Sequence, residues 1–290
     1  MKLLYIYILF AGILLLAIAS CKDDEAELPA YLFVKDFQMK TLPAQGAPTH
    51  NIKDIWVYTS NDFLGVFDKQ QLIPVILGDN KDTEVKLFAG IRENGIRQAV
   101  SQYFLYKEIT IPNDRLIPGK IDSFVAIFQY VDHVEFVFIE DFENGNIFNQ
   151  DIDGNPGTNI KITTESPAFG TQCGVINLNP ENDYIEVTTK QDYRNLPDKG
   201  NLVYLEMDYR CNNEFLVGIS GKDITGEEYK SDFIILKEHE EWNKIYLNFT
   251  EKILNSGLES YRIYFKARYN EKNDTTSIYL DNIKLLYSQK

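Results

Sequence analysis

The chain has 290 residues, with 29 Lys plus Arg against 43 Asp plus Glu and a formal net charge of −14. A surface with this charge repels phosphate backbones, so nucleic acid is not expected as a partner. The length exceeds that of a typical single domain and indicates two. The 18 Tyr and 18 Phe, beside only three Met, favour strands over helices. The composition therefore predicts an all-β protein with two domains.

Residues 1–20 have the pattern of a signal peptide. Lys2 supplies a positive n-region, Leu3 to Leu16 form an apolar h-region, and Ala19 and Ser20 are small residues of the kind that precede a cleavage site. A single membrane-spanning helix is the alternative, because a run of this length lies at the lower limit for crossing a bilayer. The small residues directly before Cys21 favour cleavage.

The residues from Ile18 to Cys21 resemble the lipobox of bacterial lipoproteins. The resemblance implies that Cys21 carries a thioether-linked diacylglycerol and becomes the mature N-terminus. Two or three acyl chains, such as palmitate, hold a protein stably at a membrane. Residues 21–30 are then a lipidated tether, and the chain is anchored to the outer membrane.

A short acidic run follows the cysteine, and it consists of Lys22, Asp23, Asp24 and Glu25. The run resembles the export signal of surface lipoproteins in the Bacteroidota. This resemblance implies that the anchored protein faces the cell exterior. The alternative is a solvated acidic linker on a lipoprotein that faces the periplasm.

Residues 31–134 are predicted to form a small β-sandwich. Aromatic and β-branched runs flank turn residues, as at Asn61 and Asp62, and indicate roughly seven short strands. The predicted strands include 55–58, 63–67, 72–77, 84–88, 103–111 and 121–131. This segment resembles immunoglobulin-like or PEGA-type modules, which implies a spacer or a domain that presents loops. Trp56 alternates with apolar neighbours, so we expect it in the core.

Residues 135–290 contain about ten further candidate strands and no helical periodicity, which predicts a jelly roll. The alternation of polar and apolar residues is cleanest near the end of the chain. Between the first and last strands, the predicted segments are 159–164, 173–177, 184–188, 202–211, 215–220, 228–236, 242–249 and 260–269.

The two ends of this second domain carry a family resemblance. The opening Asp141-Phe142-Glu143 with Gly145, and the Asp281-Asn282 pair of the last strand, resemble galactose-binding-like, carbohydrate-binding jelly rolls. The resemblance implies a glycan ligand and a structural calcium held by Glu143 and Asp281. Oxygen donors suit calcium, although it needs six to eight of them. The alternative is that both acids cap strand ends.

Candidate glycan contacts are tyrosines on predicted strands that share a face with a planar polar side chain. Sugars require an aromatic plane for their C–H faces and polar groups for their hydroxyls. The pairs are Tyr204 with Arg210, Tyr246 with Asn248, and Tyr264 with Arg262. Ordinary exposed cross-strand pairs give the same pattern, so this alternative remains open.

Two cysteines remain beyond Cys21. Cys173 and Cys211 both lie in the second domain, and a compartment outside the cytoplasm permits a disulfide between them. Two buried free thiols are equally compatible with the sequence, because their separation says nothing about whether their strands are neighbours.

Catalytic signatures are missing from the sequence: it holds no nucleophile elbow, phosphate loop or paired-histidine zinc motif. We therefore expect a non-catalytic binding protein on the outer membrane, with a glycan as its ligand. The alternative is an accessory or scaffold subunit of an outer-membrane β-barrel complex. Structural calcium is the only cofactor that the resemblance implies.

Overall fold

The computed structural model describes residues 28–60, 62–76, 84–197 and 200–289. The predicted lipidation site Cys21 and the acidic run Lys22, Asp23, Asp24 and Glu25 lie outside these ranges. Among the described residues, no helix is both long and apolar enough to cross a bilayer. The all-β prediction is confirmed, because the described chain folds into antiparallel and mixed sheets that pack as two β-sandwiches.

Eight strands form the N-terminal sandwich. They are β1 (Ala30–Met39), β2 (Asp54–Thr59), β3 (Phe63–Phe67), β4 (Leu72–Val75), β5 (Val85–Arg92), β6 (Val100–Gln102), β7 (Ile109–Ile111) and β8 (Ile121–Phe128). One sheet has the order β4-β1-β8, with β1 and β8 parallel. The other has the order β3-β2-β5-β6, and β7 also pairs with β5.

Alternation along β2 determines which side chains enter the N-terminal core. Ile55 and Val57 are fully buried between the two sheets. Trp56 points to the opposite face, where it is only partly buried and its ring lies 5.4 Å from that of Phe63. The expectation of a core Trp56 is therefore wrong, because its two neighbours occupy the inward positions.

Twelve strands and one short helix form the C-terminal sandwich. The strands are β9 (Val134–Glu140), β10 (Gln150–Asp151), β11 (Lys161–Thr163), β12 (Cys173–Leu178), β13 (Tyr184–Thr188), β14 (Tyr193–Arg194), β15 (Val203–Cys211), β16 (Phe215–Lys222), β17 (Glu228–Leu236), β18 (His239–Asn248), β19 (Ser260–Arg268) and β20 (Thr276–Ser288). Helix α1 (Thr250–Leu254) follows β18.

These strands form two facing sheets, as the jelly-roll prediction requires. The first, here called the covered sheet, has the order β11-β12-β20-β15-β18, with β9 also on β20. The second, called the open sheet, has the order β10-β13-β19-β16-β17, with β14 also on β19. Inward residues such as Phe265, Val217 and Leu205 fill the core between them.

The N-terminal sandwich packs on the outer face of the covered sheet. Tyr204, Tyr246 and Leu286 point away from the C-terminal core and belong instead to the N-terminal cluster of buried residues. The N-terminal sandwich therefore does not cover the outer face of the open sheet.

A buried carboxylate and two lysines lie at this interface. Glu206 is fully buried and accepts hydrogen bonds from the Oη atoms of Tyr103 at 2.6 Å and Tyr130 at 2.8 Å. The Nζ atom of Lys244 lies 3.3 Å from the same carboxylate. Lys284 donates to Tyr130 Oη at 3.3 Å and to a backbone carbonyl of the N-terminal sandwich at 2.8 Å. Burial lowers the pKa of Lys284 to about 7.

Candidate functional site

Four of the six predicted glycan contacts lie on the covered sheet, and three of these lie in the interface. Tyr204 and Tyr246 are 2% and 1% exposed. Tyr204 donates to Glu93 at 2.6 Å, and Asn248 Nδ2 donates to the same carboxylate at 2.9 Å. The expectation that these tyrosines face solvent is wrong, because the N-terminal sandwich occupies their face of the sheet.

Arg210 lies on the part of the covered sheet that the N-terminal sandwich leaves free. Its guanidinium carbon stacks 3.8 Å from the ring centre of Tyr279 and lies 5.5 Å from that of Trp242. Its Nη2 donates to the carbonyl of Glu165 at 3.3 Å. Arg210 therefore lies far along β15 from Tyr204, with which the sequence paired it, and packs against other aromatic side chains.

Tyr264 and Arg262 lie on the outer face of the open sheet, where the sequence placed them. Tyr264 is nonetheless only 1% exposed. Its ring lies across Gly218, which has no side chain, and its hydroxyl donates to Asp232. Arg262 is held by Asp192. The ring of Tyr264 is therefore part of the sheet surface and offers no free plane for a sugar.

The two acids proposed for calcium fix a loop instead. Glu143 accepts hydrogen bonds from the backbone N–H groups of Thr171 and Gln172, and Asp281 accepts from those of Ala168 and Phe169. Among the described residues, no group of three or more His, Cys, Asp or Glu could hold a metal. Glu143 and Asp281 thus bind backbone N–H groups, and two acids do not supply the six to eight oxygen donors that calcium requires.

Cys173 and Cys211 are both free and buried, so the structure shows the second of the two alternatives that the sequence left open. Strand β20 lies between their strands, β12 and β15. Two strand spacings alone place the cysteines at least about 9.5 Å apart, and they are also offset along β20, where Cys211 is opposite Ile278 and Gly174, next to Cys173, is opposite Leu280. Bridged Cα atoms lie at most about 7 Å apart. Burial raises the pKa of Cys173 to about 11.

A groove crosses one end of the open sheet on its outer face. Its volume is about 880 Å³, and we call it the outer groove. Lys266 on β19, Leu216 on β16 and Ile235 on β17 are direct cross-strand neighbours along its floor. Ile235 is 50% exposed. Adjacent strands thus place an apolar strip in the groove that a ligand can contact.

The groove also contains a stacked tyrosine and arginine. Tyr184 on β13 pairs in register with Arg268 on β19, and the guanidinium carbon lies 4.5 Å from the ring centre. The Tyr184 hydroxyl donates to Glu186 at 2.8 Å, which fixes the ring. Burial and this carboxylate raise the pKa of Tyr184. Within the described chain, no carboxylate lies within 4.0 Å of Arg268, so its charge is available to a ligand.

Polar loops form the rim of the outer groove. Asn213, Asn270, Glu238 and Lys272 contribute amide, carboxylate and ammonium groups. Asn213 Nδ2 donates to the backbone carbonyl of Arg268 at 3.0 Å and thereby fixes one side of the rim. An apolar floor with a few polar groups around it is the usual composition of a small-molecule or glycan site.

The sequence contained a signal for part of this groove. Tyr184 opens a strand that the sequence predicted as 184–188, and Arg268 is the next-to-last residue of the predicted strand 260–269. Alternation gives the face of each residue but not its partner on the next strand. The sequence therefore does not show that Tyr184 and Arg268 are paired in register and stacked.

No protein-family model matches the sequence, and no curated protein matches it. Several solved structures are similar to part of the chain. The CBM22-1 xylan-binding domain from Paenibacillus barcinonensis Xyn10C is 11% identical, covers 55% of this chain and 99% of its own length, and has a TM-score of 0.38. A family 30 carbohydrate-binding module is 15% identical over 54% of this chain and 88% of its own, with a TM-score of 0.42. The family 11 module from Clostridium thermocellum, solved with a β-1,3-1,4-mixed-linked tetrasaccharide, is 15% identical over 52% and 94%, with a TM-score of 0.37.

Proposed function

We propose that the chain is a non-catalytic binding protein that holds a glycan in the outer groove. The observation that carries this proposal is the Tyr184–Arg268 stack beside the partly buried Leu216 and the exposed Ile235. A sugar ring presents C–H groups on its faces and hydroxyls around its edge. The apolar strip can contact the C–H faces, and the guanidinium of Arg268 and the amides of the rim can bind the hydroxyls.

The experiment is a binding titration of soluble polysaccharides against the full chain. Tyr184→Ala and Arg268→Ala each remove one member of the stack, and we expect affinity to fall at least about tenfold, which corresponds to about 1.4 kcal/mol. Tyr229→Ala is the matched control, because Tyr229 is 50% exposed on β17 but does not line the outer groove. If wild type binds no xylan, β-glucan, galactan or pectin, or if all three variants bind as wild type does, the glycan assignment fails.

We also propose that the protein acts as a surface lipoprotein, on the basis of its N-terminal sequence. Cys21 is the proposed lipid attachment site, and the acidic residues 22–25 are the proposed export signal. Cys21→Ala should move the protein from the membrane to the soluble fraction. Replacement of Asp23, Asp24 and Glu25 by Ala should protect the anchored protein from protease added to intact cells, while total membrane content remains unchanged.

A second candidate function, as an accessory subunit of an outer-membrane protein complex, is favoured by aromatic side chains on the N-terminal sandwich. Phe63 and Phe104 are 51% and 54% exposed on the outer face of its β2-containing sheet, close to Tyr58 and Phe88. Exposed apolar clusters of this kind commonly mark protein contacts. Copurification from gently solubilised membranes separates the two functions. A stoichiometric membrane-protein partner that is lost with Phe63→Ser would support the subunit, and glycan binding alone would not.

A further inference from the structure

We infer that two copies of this chain pair through strand β8 to form a two-fold symmetric dimer. Strand β8 lies at the end of the sheet β4-β1-β8, and among the described residues it pairs with β1 alone. The backbone groups along its other edge therefore have no strand partner. Such an edge is a template for another extended chain.

The hydrogen bonds to β1 show which residues point outward. Tyr31 N donates to the carbonyl of Lys120 at 2.9 Å, and Lys40 N donates to that of Phe128 at 2.9 Å. Successive residues of a strand direct their N–H and C=O groups to opposite edges, so even-numbered residues of β8 face β1. The odd-numbered residues, Ile121, Ser123 and Val125, present theirs to the free edge.

The free stretch is the first part of the strand. Beyond β8, Lys107 N donates to the carbonyl of Gln129 at 2.8 Å, and Val131 N donates to that of Leu105 at 3.0 Å. The chain before β7 therefore flanks the far end of β8. From there β7 pairs with β5 in the other sheet, which leaves the edge at Ile121–Val125 unpaired.

The sequence of this stretch is self-complementary, which a two-fold interface requires. An antiparallel pairing centred on Ser123 places it opposite Ser123 of the second copy and places Ile121 opposite Val125 of the second copy. The three facing pairs would form about six backbone hydrogen bonds. Ile121 is 57% exposed and Val125 is 36% exposed, so each pairing covers apolar surface that is now in solvent.

The charges at this edge permit the contact. None of Ile121, Ser123 and Val125 carries a charge, and Asp122 is neutralised by Arg115 at 2.7 Å. Like-charge opposition, which proteins use to protect free edges, is therefore missing here. Two chains of net charge −14 still repel each other at longer range. Because salt screens that repulsion, we expect the dimer to tighten as ionic strength rises.

A cysteine at the symmetry axis tests the geometry directly. Facing residues in a hydrogen-bonded antiparallel pair have Cα atoms about 5.5 Å apart, which is within the range for a disulfide. Ser123→Cys in the full chain, expressed in its membrane and mildly oxidised, should give a covalent dimer. Val66→Cys is the matched control, since Val66 is 40% exposed on a strand of the other sheet.

Sedimentation of the full chain in mild detergent provides an independent measurement. The dimer fraction should rise with protein concentration and fall in Ser123→Pro, whose missing N–H removes bonds across the axis but none to β1. An unfolding temperature equal to that of the wild type establishes that each variant is folded. A wild-type chain that is monomeric at every concentration, or a Ser123→Cys that crosslinks no faster than Val66→Cys, would overturn the proposal.

Discussion

Replacing Glu206 by Gln should destabilise the protein more than any comparable change at an exposed ion pair. Glu206 is fully buried at the interface and lies close to two buried cations, with Lys244 at 3.3 Å. The amide retains the shape of the carboxylate and can still bond the hydroxyls of Tyr103 and Tyr130. It removes the negative charge that compensates Lys244 and Lys284.

The expected magnitude follows from that loss of compensation. Breaking a buried ion pair by removing one partner costs about 3–5 kcal/mol. Lys284, whose pKa burial already lowers to about 7, can reduce the penalty at high pH by releasing its proton. We therefore expect the cost of Glu206→Gln to be larger at pH 6 than at pH 9.

The assay is urea unfolding followed by tryptophan fluorescence. The chain has two tryptophans, one in each sandwich, so the signal reports on both. Wild type should unfold in a single transition if the interface couples the sandwiches, and Glu206→Gln should lower the midpoint or separate the transitions. Glu206→Gln with Lys244→Met removes one uncompensated cation and should recover part of the loss.

Glu108→Gln is the matched control. Glu108 lies 4.0 Å from Lys86, and both side chains are well exposed, at 39% and 46%. Its replacement should cost at most about 1 kcal/mol. If Glu206→Gln costs no more than this control, or if its cost does not depend on pH, the interface is not held by these buried charges.

Four further predictions concern the C-terminal sandwich. Gly218→Ala should destabilise it by about 1–3 kcal/mol, measured by thermal unfolding, because a Cβ there would lie 2.3 Å from the ring of Tyr264. A thiol reagent at pH 8 should label neither Cys173 nor Cys211 in the folded protein, because both are buried, and should label both in urea. A chelator should leave the unfolding temperature unchanged, because the carboxylates proposed for calcium bind backbone N–H groups. Burial raises the pKa of Asp281 from 3.8 to about 7, so the folded state binds a proton more tightly and this residue's contribution to stability falls as pH rises from about 4 to 7. The stability of Asp281→Asn relative to wild type should therefore rise between pH 5 and pH 8. If the difference in unfolding free energy between the two proteins is the same at both pH values, the pKa of Asp281 is not raised.

The sequence predicted the strands well because alternation and turn residues are local signals. The segments 184–188 and 228–236 coincide with β13 and β17. The predicted strand 103–111 is reduced to β7 at Ile109–Ile111, because Tyr103 and Tyr106 turn inward to the interface. Local sequence patterns predict a strand correctly where the strand pairs regularly with its neighbours. They fail where contacts with a distant segment determine the course of the backbone.

The site could be predicted only in part, for a related reason. The alternation in 202–211 and 242–249 correctly shows that Tyr204 and Tyr246 point away from the C-terminal core. It cannot show that a second domain covers that face, since covering residues such as Glu93 and Tyr103 lie more than 100 positions away in the sequence. The same limit applies to Cys173 and Cys211, whose separation depends on β20 lying between their strands.

The position of the N-terminal sandwich on the covered sheet has a mechanical consequence. The chain enters the described fold at β1, whereas the outer groove lies on the far sheet of the other sandwich. A pull on a ligand in the groove, resisted at the N-terminus, must pass through the C-terminal core and then through the contacts around Glu206. These contacts share the load with the covalent connection between Tyr130 and Val134. We therefore expect the interface to resist applied force, and variants that weaken it should separate the sandwiches at lower force than wild type.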